Sequence, residues 1–223
     1  MEKIMLLSFD DGTVYDPKFI ELLNRYQIPC TFHLNSGLEE FVWYYHDDPV
    51  KRQNLRQAKE LDVYHGHEVA SHTLTHPDLT ALNEEGLLWE VVEDCRRLKE
   101  IFGVEQIGFS VPFTHCSQQQ INLLRERGLV KYIRLSEERE DFSLPEDPYH
   151  IYINALFQQP DVWEKIAAFV AHDAPVSVFV LCGHSYEMEL DGQWEHMEKL
   201  LQYIRSFPQI QCMTTMDFVE RYY

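Results

Sequence analysis

Three separate stretches carry side chains able to bind a cation or move a proton: Asp10-Asp11, the pair His72 and His76, and His184. Two adjacent carboxylates suit a division of labour in which one holds a cation and the other handles a proton. His72 and His76 stand four positions apart, a spacing that stacks two imidazoles on one side of a helical turn. Two histidines and one acid form a known catalytic zinc donor set that leaves a position for water. Zinc brings the pKa of that water down to about 7. A remaining carboxylate and a remaining histidine would then be the base and the acid. Residue types alone do not decide which of Asp10 and Asp11 is the ligand.

The elements that must position these groups follow from the apolar pattern. Ile4-Met5-Leu6-Leu7 reads as a buried strand running into Ser8-Phe9-Asp10-Asp11-Gly12, where Gly12 lets the chain turn. Neighbouring side chains on a strand point to opposite sides. Asp10 and Asp11 therefore serve one site only if the strand has already broken there. A short strand over residues 67–71 delivers His72-Thr73-Leu74-Thr75-His76-Pro77, and an apolar strand over 176–181 leads into Cys182-Gly183-His184. Further strands are predicted over 29–34, 106–111, 132–135, 149–153 and 211–213. Helices are predicted over 16–26, entered through an Asp16-Pro17 cap, and over 83–102, stopped by Gly103. Others follow over 117–127, 160–172 and 193–207, with one at the end of the chain. A polar helix is expected over 50–61, and the aromatic cluster Phe41, Trp43, Tyr44 and Tyr45 before it reads as core or subunit contact rather than as a sugar-stacking surface.

This β–α alternation runs without a linker or a short repeat and predicts one α/β domain over 1–223, a distorted (β/α) barrel of about seven parallel strands. In such barrels the site lies at the carboxyl ends of the strands. Asp10, Asp11, His72, His76 and His184 all fall at predicted strand ends, so they are expected to converge.

The net charge of -18 argues against a nucleic-acid partner and against an anionic membrane surface, both of which need a basic face. No apolar run long enough to cross a bilayer is present. Met1-Glu2-Lys3-Ile4 enters the first strand with no charged segment, apolar stretch and cleavage site ahead of it, so a cytoplasmic protein is expected. The five scattered cysteines contain no Cys-x-x-Cys and fit reduced thiols.

With these residues in view, the chain resembles the polysaccharide deacetylases, carbohydrate esterase family four. The resemblance rests on Ser8-Phe9-Asp10-Asp11-Gly12, on residues 66–77 with His72 and His76, and on Val180-Leu181-Cys182-Gly183-His184. It implies a single divalent metal, usually zinc, held by Asp11, His72 and His76. It implies Asp10 as the base that takes a proton from metal-bound water and His184 as the acid that protonates the leaving group. The reaction implied is removal of an N-acetyl or O-acetyl group from a sugar, and a small acetylated carbohydrate or related amide is the expected substrate. A backbone N–H at Phe113 would assist the metal at the oxyanion, and Leu181 would line the acetyl pocket. Two departures stand out. The family's Arg-x-Pro-aromatic motif reads Ser110-Val111-Pro112-Phe113 here, so the arginine that orients the base is missing, and Arg134 is the candidate replacement. The fourth, Asp/Trp-bearing motif is not evident between Val130 and Asn154. A metal-retaining binding protein with little catalysis is the rival expectation.

Overall fold

In the computed structural model, which describes residues 1–113 and 115–223, the chain begins with β1 (Glu2–Asp10), buried along nearly its whole length. In order there follow α1 (Asp16–Arg25), β2 (Thr31–Leu34), β3 (Val42–Tyr45), β4 (Asp48–Lys51), α2 (Leu55–Glu60), β5 (Glu68–Ser71), α3 (Glu84–Phe102), β6 (Phe109–Ser110), α4 (Gln118–Glu126) and β7 (Ile133–Glu138). The second half adds β8 (Ile151–Ile153), β9 (Ala155–Leu156), α5 (Val162–Ala171), β10 (Val176–His184), α6 (Ser185–Leu190), α7 (Trp194–Arg205), β11 (Ile210–Met213) and α8 (Thr215–Tyr222).

The main sheet runs β8-β7-β6-β5-β2-β1-β10-β9, every neighbour parallel. Its two ends are one segment of chain. β8 pairs with β7, β9 pairs with β10, and only Asn154 separates them. At that residue the backbone N–H donates to Val180 O at 2.9 Å and the side chain accepts from Val180 N at 2.8 Å. The strand changes partners there and closes the sheet into a barrel of seven staves, as expected from the alternation. The barrel is distorted because β2 holds one edge of β1 only over Ser8–Asp10, while β11 holds that edge over Lys3–Leu6.

Strand parity separates two cores. Ile4 and Leu6 of β1 face inward with Val178, Val180 and Cys182 of β10 and with Ile151 and Ile153. Met5, Leu7 and Phe9 face outward with Phe179 and Leu181 against the helices. Burial of each such aliphatic or aromatic side chain is worth about 1.5–3 kcal/mol. Gly183 falls on the outer parity, where a Cβ would come within 2.3 Å of the Phe157 ring, so only glycine lets β10 run straight through to His184.

Two expectations are corrected. Residues 42–51 form an antiparallel hairpin, β3–β4, in which Val50 pairs with Trp43, so the helix predicted from residue 50 begins only at Leu55. Alternating exposure along β3 against the single buried Val50 of β4 marks a hairpin lying on a surface. Asp16 does not cap α1, since the residue ahead of the helix is Tyr15 and its side chain makes no capping bond. The Asp16 carboxylate turns inward to accept from Tyr64 Oη at 2.8 Å and from Ser185 Oγ.

Candidate active site

At the carboxyl end of the barrel, β1 carries Asp10 as its last residue, on the inner parity, registered against His184 of β10 and His33 of β2. Asp11 then takes φ 86°, outside the strand region, and its carboxylate swings back over the same end of the barrel. That break is what lets adjacent aspartates share one site. His72 follows β5 directly and is buried. Residues 72–76 are not a helical turn, since Thr73 and His76 have φ 68° and 55°. A tight loop brings the two rings to 4.9 Å, so the pair converges by another route than the spacing predicts.

Asp11, His72 and His76 present donor atoms all within 4.8 Å of one another. His76 Nε2 is 3.6 Å and His72 Nε2 4.0 Å from Asp11 Oδ1. That oxygen is buried and makes no hydrogen bond, although Arg52 Nη2 lies 3.0 Å away in a poorly aligned ion pair. An unbonded buried carboxylate oxygen facing two imidazole nitrogens fits a divalent cation. Tetrahedral zinc at ordinary bond lengths would need its donors about 3.4 Å apart. His72 Nδ1 faces Ser110, with the carbonyl at 3.0 Å and Oγ at 2.6 Å, which leaves Nε2 free to bind.

Asp10 lies beside this set. Arg134 donates to both of its carboxylate oxygens, Ser110 Oγ to Oδ1 at 3.1 Å, and His33 Nδ1 is 3.2 Å from Oδ1. Burial alone would push the Asp10 carboxyl up, but the Arg134 guanidinium, helped by a hydrogen bond from His33, outweighs it and holds it well below the usual carboxylate range. Asp11 is lowered in the same way, burial being overcome first by Arg52. Burial takes His72 down to about 3 and lowers His76 as well, so both rings are neutral and able to bind. His184 is the exception. Burial opposes its charge, but Glu187, 3.2 Å from Nδ1, and Asp11, 3.9 Å from Nε2, push it up to about 9.

These groups open into a cleft of about 590 Å³ that also reaches Phe41, Trp43, Phe113, Leu156 and Cys182. Phe113, at φ 56° and more than half exposed, packs its ring 4.7 Å from His76 at the mouth. Leu181 does not reach the cleft. It is fully buried in the layer between barrel and helices, because residues two apart on a strand share a face, and Cys182 is therefore the residue that shares the inner face with His184. Phe41, just ahead of the hairpin, and Trp43 within it line the cleft, and Phe41, half exposed, is not core.

Several site residues escaped the sequence reading. Arg52 follows β4 and reaches Asp11 and Asn35, and Asn35 Nδ2 in turn holds the carbonyls of His72 and Thr73. On α3, Glu90 accepts from Thr75 N at 2.8 Å and Thr75 Oγ1 at 2.6 Å, while Asp94 accepts from Ser36 and Ser71. A buried Glu90 and Asp94 four apart on an otherwise apolar helix face were the available signal.

Known proteins agree with this architecture. The family model for polysaccharide deacetylase matches residues 1–132, more than half of the chain. A chitooligosaccharide deacetylase of Sinorhizobium fredii (strain NBRC 101917 / NGR234) is 35% identical over 95 residues, covering 42% of this chain and 38% of that protein. The match thus spans about two-fifths of that relative's length. Among solved structures, the Xyl-CE4 domain of a multidomain xylanase from the hindgut metagenome of Trinervitermes trinervoides superposes with a TM-score of 0.65 at 16% identity, covering 99% of this chain and 91% of that one. The chitin deacetylase of Colletotrichum lindemuthianum gives 0.64 at 17% identity, covering 97% and 87%. At such identities the structures speak for the barrel alone, and the family rests on the sequence match: the chain belongs to the polysaccharide deacetylase family.

Proposed function

We propose that the protein is a divalent-metal-dependent hydrolase that removes an acetyl group, N-linked or O-linked, from a small acetylated carbohydrate or related amide, with zinc as the native ion. The observation that carries this reading is Asp11 Oδ1, buried and without a hydrogen bond, facing the Nε2 atoms of His72 and His76. Asp11, His72 and His76 would hold the cation, which when bound supplies Lewis acidity to the acetyl carbonyl and eases deprotonation of water.

The remaining steps belong to the chain's own groups. Asp10, kept ionised by Arg134, takes a proton from the attacking water as its oxygen bonds to the acetyl carbon. Protonated His184 gives its proton to the leaving nitrogen or oxygen as the bond to that carbon breaks, releasing acetate and the free amine or alcohol. The Phe113 backbone N–H is assigned to the oxyanion, and Cys182 to the wall beside the acyl group in place of Leu181.

The rival reading is a binding protein that keeps the metal without turnover, and Ser110 at the motif's arginine position is what favours it. Against it stands the guanidinium of Arg134 on Asp10, an arrangement that a protein without proton transfer would not need. The test is acetate release from a panel of acetylated sugars before and after chelation. Activity that survives complete metal removal ends the reading. Asp10→Asn should abolish turnover with metal still bound, and loss of the metal instead would reverse the roles of Asp10 and Asp11.

A further inference from the structure

Among the described residues, Arg52 is the one cation lining the cleft that the reaction above does not use. It is buried, 5% exposed, and sits 3.0 Å from the ligand oxygen of Asp11. Its position is fixed independently of that carboxylate. Nη1 donates to the Asp11 carbonyl and to Asn35 Oδ1, the guanidinium lies 4.7 Å over the Trp43 ring, and its backbone N–H donates to Phe41 O at 2.9 Å.

We propose that Arg52 is a resident counter-ion for Asp11, delivered by the β3–β4 hairpin, which stabilises the metal-free centre and limits its affinity for divalent cations. The inference rests on the metal reading above. Of the other charged groups that line the cleft, Asp10 is matched by Arg134 and His184 by Glu187. Asp11 is the only anionic ligand of the set, and Arg52 has balanced it before a cation arrives. An incoming dication therefore gains the attraction of one carboxylate and meets the repulsion of a fixed guanidinium in a site poorly screened by water. Partners that merely orient a ligand have the opposite effect, since removing them weakens metal binding. The sign of the change separates the two roles.

The experiment is zinc titration by calorimetry on the metal-free chain, alongside thermal melts with and without zinc. Arg52→Met should bind zinc at least roughly tenfold tighter, melt lower than the natural chain without metal, and show a larger zinc-induced rise in Tm. Arg52→Lys keeps a positive charge beside Asp11 without the planar fork, and should tighten zinc binding by less than the Met variant does. Weaker binding by the Met variant, or equal tightening by the Lys variant, overturns this inference alone. Failure of the natural chain to take up any zinc overturns the metal reading and this inference with it.

Discussion

Arg134 and Ser110 are registered neighbours on β7 and β6, and both donate to Asp10. The guanidinium that the family motif would carry on β6 therefore stands one strand across, at the same level of the barrel, with the small Ser110 leaving room for it. Arg134 is 1% exposed and Asp10 6%, so this pair is shielded from solvent, and loss of one partner strands the other as a buried charge.

The first prediction follows from that register. Arg134→Ser should lower kcat about 100-fold or more, because an unpaired Asp10 is neither oriented nor held ionised. Ser110→Arg introduced into that background should recover at least about tenfold. Metal content, measured by atomic emission, should be the same in all three proteins. No recovery in the double variant would mean that Arg134 serves the site through something other than its contact with Asp10.

A second prediction concerns the acid. His184 loses its proton as pH rises through about 9, and Glu187 is the first of the groups that keep it charged against burial. Glu187→Gln removes that charge while preserving shape. The alkaline limb of kcat against pH should move down by about one unit, with the acidic limb unmoved, since Asp10 is not a partner of Glu187. An alkaline limb that stays in place would remove His184 from the role of acid.

Glu90 offers a third. It ties both donors of Thr75 inside the loop that separates His72 from His76. Thr73 and His76 on either side of that residue have positive φ, a conformation non-glycine residues hold only when neighbours enforce it. Glu90→Ala should weaken zinc binding roughly 10–100-fold while Asp11 and its surroundings keep their positions. Unchanged affinity by calorimetry would show that the loop holds its shape without α3.

How much of this could be read from the chain alone depends on distance along it. Asp10, Asp11, His72, His76 and His184 announced themselves because each ends an apolar run, and parallel strands must deliver such residues to one end of a barrel. Arg134 could be suggested as a basic residue on a strand, though nothing local ties it to Asp10. Arg52 and Asn35 were illegible as site residues because their partners are set by the packing of elements distant in the chain, whereas Glu90 showed only as an acid on an apolar helix face and Glu187 only as an acid three residues after His184. The hairpin was misread because Asp48-Pro49-Val50-Lys51 has no strand-like alternation beyond its single buried Val50. The family resemblance put Leu181 at the acetyl pocket, where parity counted back from His184 puts Cys182 on the inner face instead.

The fourth prediction separates folding from catalysis. Asp16 is 1% exposed, and burial raises its carboxyl to about 6 despite bonds from Ser185 and Tyr64. Between about pH 4 and pH 6 the unfolded chain releases this proton while the folded chain keeps it. The unfolded state therefore binds fewer protons, and the contribution of Asp16 to stability falls as pH rises through that window, then levels off. Asp16→Asn has no proton to lose. Its stability relative to the natural chain should climb by about 1–3 kcal/mol from pH 4 to pH 7, read from urea midpoints at each pH. A difference between the two proteins that stays constant over this range would mean that Asp16 is already ionised in the folded protein, with Tyr64 and Ser185 stabilising the carboxylate instead of sheltering the acid.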